Sequence, residues 1–127
     1  MVIYQHRIFR KDLKNNPTVL YLFGDNRLRK GLGGQAREMR GEPNALGIRT
    51  KKVPNNHPLS FLSDDEYEKN TNDIETDLYK AFCRVENGGI IIIPSDGLGT
   101  GLSNLPKVAP RTFEYLQSRL EALTKAG

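Results

Sequence analysis

Residues 90–94 read Ile-Ile-Ile-Ile-Pro. Four β-branched residues in a row favour extended backbone, and the run has no polar face to offer water. It predicts a strand buried on both sides, and such strands belong to parallel sheets covered by helices above and below. The rest of the chain supplies the partners. Residues 2–9, VIYQHRIF, read as a strand, and 18–23, TVLYLF, as a second buried strand between Pro17 and Gly24. A short helix is expected over 33–40 and a third strand over 44–50, with a proline- and asparagine-rich loop at 53–63. Ser63 opens the next helix as its N-cap, with Glu66 completing a capping box. Ile74, Leu78, Ala81, Phe82 and Val85 then recur at helical spacing until Asn87-Gly88-Gly89 ends the helix. A final helix over about 105–123 has Pro106 in its first turn and the stripe Val108, Phe113, Leu116, Leu120 and Leu123. The order β, β, α, β, α, β, α predicts an α/β domain with a mainly parallel sheet between helices. At 127 residues the chain is expected to form one domain, 1–127.

Bulk properties exclude several classes. No apolar run approaches a membrane span, and the first residues lack the apolar segment of a secretory leader, so no membrane partner is expected. A lone cysteine, Cys83, forms no internal disulfide, which fits a cytoplasmic setting. Together with only His6 and His57 it predicts no metal site. The net charge of +4 suits an anionic ligand, and the excess is concentrated in Arg27, Arg29, Lys30, Arg37, Arg40, Arg49, Lys51 and Lys52. That cluster keeps nucleic acid open as a partner, although no zinc finger, ribonucleoprotein motif or basic heptad pattern accompanies it.

In parallel sheets ligands sit beyond the carboxyl ends of the strands. Both glycine-rich stretches fall there: GDNRLRKGLGG (24–34) and SDGLGTGLS (95–103). Glycines let backbone N–H groups approach an anion closely, and a following helix start adds further donors. Two such loops on one sheet edge predict a phosphate site. A Walker A loop is excluded because Leu102, not lysine, follows Gly101. A dinucleotide fingerprint is disfavoured because GLGTG follows the last strand rather than the first.

In order along the chain, RKDL (10–13), KGLGGQA (30–36), Thr50-Lys51-Lys52 and PSDGLGTGLSNL (94–105) resemble the motifs of macrodomains, especially the terminal-ADP-ribose glycohydrolase branch. The resemblance implies a three-layer macrodomain-like fold, with a mixed, mainly parallel sheet between helices. It also implies a cleft for ADP-ribose, free or attached to a macromolecule, with no cofactor. Asp12 would then accept from the adenine amino group. Gly31, Gly33, Gly34 and Gln35 would line the diphosphate and distal ribose, and Gly97, Gly99, Thr100, Gly101 and Leu102 would close from the other side. Asp25 and Asn26 would face the same cleft, either on ribose hydroxyls or as an Asx turn.

For catalysis the resemblance calls for a lysine after the third strand, here Lys51 or Lys52, and an aspartate after the last glycine loop. Ser103 stands at the aspartate's position, so Asp96 is the acid available in that loop. Two readings of the cleft follow: hydrolysis of an ADP-ribosyl linkage, or binding without turnover of ADP-ribose or an NAD-derived nucleotide.

Overall fold

The strands are β1 (Val2–Gln5), β2 (Leu20–Asn26), β3 (Ala45–Lys51) and β4 (Ile91–Pro94). They form one sheet in the order β1-β4-β2-β3, and every pairing is parallel, so the expected mixed sheet is instead wholly parallel. The two interior positions go to β2 and β4, the most deeply buried strands, where both faces need covering. The computed structural model describes residues 1–127.

The strand pleat divides the core into two. Leu20, Leu22, Ile48, Ile91 and Ile93 meet Ile74, Leu78, Ala81 and Val85 of α3 (Tyr67–Glu86) and Leu116, Leu120 and Leu123 of α5 (Pro110–Ala126). Tyr21, Phe23 and Ile92, the alternate residues, meet Ile8, Leu13 of α1 (Arg10–Asn15) and Ala36 and Met39 of α2 (Ala36–Met39). Ile91, Ile92 and Ile93 are thus buried on opposite sides of one strand, and helices cover both faces. Cutting Ile93 to alanine at such a site removes about 2–5 kcal/mol.

Four local features depart from the sequence expectation. The first strand ends at Gln5 rather than residue 9, because Arg7 takes a left-handed backbone (φ 54°) and α1 follows. The second runs on through Gly24, Asp25 and Asn26, beyond the glycine expected to bound it. Ser63 caps a single 3-10 turn, Asp64–Glu66, by accepting from Asp65 N at 3.2 Å; the Glu66 side chain turns instead to Lys52 at 2.8 Å, so the capping box lacks its return arm. The last helix is split into α4 (Leu105–Val108) and α5, because Pro110 disfavours helical backbone at Ala109, which sits at φ −149°, ψ 69°. No helix is long and apolar enough to cross a membrane.

Candidate anion-binding cleft

The loop after β2 and the loop after β4 leave neighbouring strands at the same sheet edge. Gly24, near the end of β2, lies beside the last loop: a Cβ there would make ordinary contacts at 3.4 Å with Thr50 Oγ1 and 3.7 Å with Gly99 N. Gly97 and Gly99 take φ values of 89° and 79°, and Gly31 and Gly34 values of 98° and 58°, so both loops use conformations that side chains disfavour. The result is two rows of backbone donors. No protein group accepts from the N–H groups of residues 30 to 36, nor from those of 98 to 103. The helices that follow are single turns of four residues, so the expected helix-start contribution passes to the loops themselves.

Between the loops lie two adjoining chambers. The glycine chamber, about 380 Å³, is lined by Gly33, Gly34 and Gln35, by residues 94–103, and by Gln5, His6 and Arg7 at the end of β1. The lysine chamber, about 260 Å³, holds Lys51, Lys30, Gly31, Arg40, Asn55 and Asn56 among its walls. Gly24, Gly33, Leu102 and Ser103 border both. Leu102 reaches over Gly33, where a Cβ would stand 2.7 Å from its Cδ1, and so partitions the cleft. A larger depression of about 590 Å³ lies elsewhere, between Tyr4 and the outer surface of α5. It collects no backbone donors and is bordered mainly by polar helix-surface side chains, so the cleft is the better candidate.

The predicted residues sort unevenly. The glycines, Gln35, Thr100, Leu102 and Ser103 do come together, and Ser103 Oγ bonds Thr50 Oγ1 at 2.7 Å, tying the last loop to β3. Asp12 borders neither chamber; it closes the first turn of α1 by accepting from Phe9 N at 2.8 Å and from Gln5 Nε2 at 3.2 Å. Asp25 and Asn26 both border the lysine chamber as expected, but Asp25 is buried and already paired with Arg40 at 2.6 Å and Arg29 at 3.2 Å. Asn26 forms the Asx turn, accepting from Leu28 N and donating to Lys30 O at 2.7 Å. The two lysines diverge, as neighbours at a strand end do. Lys52 pairs outward with Glu66, whereas Lys51 is buried, has no carboxylate partner and lies over the Phe61 ring at 4.6 Å. Burial lowers its pKa below the ordinary lysine value. Asp96 is exposed and lines the glycine chamber, so Asp96 and Lys51 occupy different chambers.

Sequence reasoning passed over Gln5, His6, Arg7, Lys30, Arg40, Asn55 and Asn56 as lining residues. The first three would have been found had β1 been ended at Gln5. The basic cluster meanwhile has a different use. Arg40, Asp25, Arg29, Asp77, Arg49, Asp73, Arg27, Glu66 and Lys52 alternate in sign as one chain of ion pairs joining the first glycine loop, β3 and α3. The acidic stretch before and within α3 therefore neutralises much of the charge that had kept nucleic acid open.

The chain belongs to DUF7831, a family of unknown function, whose model matches residues 3–119, from β1 into α5. No curated protein and no solved structure matches it.

Proposed function

We propose that the protein binds ADP-ribose or an ADP-ribosyl group, with the diphosphate between the two glycine loops and the distal ribose toward the lysine chamber. The observation that carries this is the double row of unpartnered N–H groups at residues 30–36 and 98–103. Many unpartnered backbone donors on residues bordering one gap suit a ligand with several anionic oxygens, and donors of the backbone need no side chain to be ordered. The motif resemblance, which runs through both loops, turns a general anion site toward ADP-ribose. Asp12 is not used on adenine in this reading, because it is occupied in α1. Isothermal calorimetry with ADP-ribose tests it: saturable micromolar binding is expected, and an absence of binding removes the reading.

A second reading, hydrolysis of an ADP-ribosyl linkage, is favoured by Lys51. A buried amine with a lowered pKa spends more time uncharged and is a better nucleophile. It would bond the anomeric carbon as the acceptor group leaves with the electron pair of the broken glycosidic bond. Water would then release ADP-ribose and restore the amine. Asp96 would serve it only through a ligand that spans both chambers. Turnover of an ADP-ribosylated protein separates the readings: Lys51→Ala should abolish it while ADP-ribose still binds, and Lys52→Ala should leave it intact. Asp96→Asn should lower it about a hundredfold. A parent that binds but never turns over substrate is a reader.

A further inference from the structure

The first glycine loop has no strand or long helix to hold it, yet its donors must be in place before an anion arrives. Arg40, at the end of α2, bonds into it. Its Nε donates to Gly31 O at 2.8 Å and its Nη2 to Lys30 O at 3.2 Å. The same guanidinium grips Asp25, with Nη2 at 2.6 Å from Oδ1 and Nη1 at 3.4 Å from Oδ2, and lies 5.4 Å from the Phe23 ring centre. In a planar trans peptide the carbonyl and the next N–H point in opposite directions. Drawing the Lys30 and Gly31 carbonyls onto Arg40 therefore turns the N–H groups of Gly31 and Leu32 away from it. Both belong to the row without an acceptor in the protein.

The anchor behind Arg40 is also built. The Asp25 side chain is 3% exposed and bonds Arg29 at 3.2 Å and Asn26 N at 2.8 Å, and Arg29 continues to Asp77 at 2.6 Å. Asp25 fits over β3 only because residue 47 is glycine, since a Cβ there would collide with its carboxylate. Most of the donors of Arg40 are thus used within the protein, and its charge is met by Asp25.

We infer that Arg40 is a positioning residue: a guanidinium clamp, seated on Asp25, that sets the first glycine loop with its N–H groups free for the anion. The inference takes its ligand from the ADP-ribose reading, but the clamp itself can be read without one. Arg40→Lys keeps the charge and removes the fork that reaches two carbonyls and a carboxylate together. In the unliganded protein, backbone amide relaxation should show residues 30–34 becoming mobile while the strands stay rigid. ADP-ribose affinity should fall about tenfold or more. Arg40→Ala should behave alike and recover part of its affinity in ethylguanidinium. The dependence of affinity on salt should match that of the parent, since a charge neutralised by Asp25 is not the one that meets the ligand. Gly47→Ala, which borders neither chamber, should weaken binding too by displacing Asp25.

An unchanged loop in Arg40→Lys, or parent-like affinity in that variant, overturns the clamp. A flatter salt dependence overturns it as well, because it would make Arg40 a direct ligand contact. If the parent binds no ADP-ribose and the loop still loosens in Arg40→Lys, the ligand reading fails and the clamp stands.

Discussion

Two glycines of the last loop should respond to substitution in opposite ways. Gly99 sits at φ 79°, and a Cβ there would lie 3.0 Å from Leu105 Cδ2, 3.1 Å from Leu105 Cβ and 3.4 Å from Thr50 Cγ2. Leu105 and Thr50 are both fully buried and have little room to yield. Left-handed backbone costs a non-glycine residue about 1–2 kcal/mol, and crowding a packed core adds about 1–3 kcal/mol. Gly99→Ala should therefore lose about 2–5 kcal/mol, a fall in melting temperature of roughly 8–19 °C for a domain of this size. Gly101 is exposed, has ordinary φ, and nothing lies within 4 Å of its missing Cβ. Gly101→Leu should stay within about 0.5 kcal/mol of the parent. Because Gly101 lines the glycine chamber, the added side chain should nevertheless cost most of the ADP-ribose affinity. Calorimetric melting followed by ligand titration of both variants reads the two effects apart. A Gly99→Ala protein as stable as the parent would refute the packing argument. A Gly101→Leu protein that binds normally would refute the cleft.

Other consequences follow from buried charge. Asp77 is nearly inaccessible and bonds both Arg29 and Arg49, so Asp77→Ala should cost about 1–3 kcal/mol in chemical denaturation, moderated because Arg29 keeps Asp25 and Arg49 keeps Asp73. Lys51 has its folded pKa lowered by burial, so the folded state disfavours its charge at neutral pH. Lys51→Met should raise the melting temperature at pH 7, and the gain should shrink as pH climbs through the lowered folded value toward the ordinary 10.5. At Asp64 burial pushes the carboxyl up, but bonds from Arg111 N, Thr112 N and Thr112 Oγ1 outweigh it and leave the pKa below 3.8. That carboxylate caps α5 from outside the helix, and Asp64→Asn should cost about 1 kcal/mol at pH 7. The difference from the parent should close as pH falls below 3.8 through the folded value, measured by melting at stepped pH.

Much of this architecture was legible because it rests on local pattern. The isoleucine run fixed a doubly covered strand, and the stripes of α3 and α5 face the core as their spacing required. Both glycine loops fell at strand ends because turn residues must follow there. What escaped depends on partners far along the chain. Gly24-Asp25-Asn26 looks like a turn, yet it stays in β2 because Arg29, Arg40 and the bare Gly47 accommodate Asp25. The ion pairs of the basic cluster are equally hidden, because Asp73 and Asp77 reach it only once α3 packs against β3. α1 was invisible because only Leu13 among its six residues is buried, leaving no stripe to read.

The central claim is that backbone donors of two loops hold one anionic ligand. A titration of uniformly ¹⁵N-labelled protein with ADP-ribose, followed by amide chemical shift, addresses those donors one by one. The account predicts that the amides of residues 30–36 and 98–103 move together along a single saturable curve, with those of α5 beside Tyr4 unmoved. Shifts confined to one loop, or centred on α5, would contradict it.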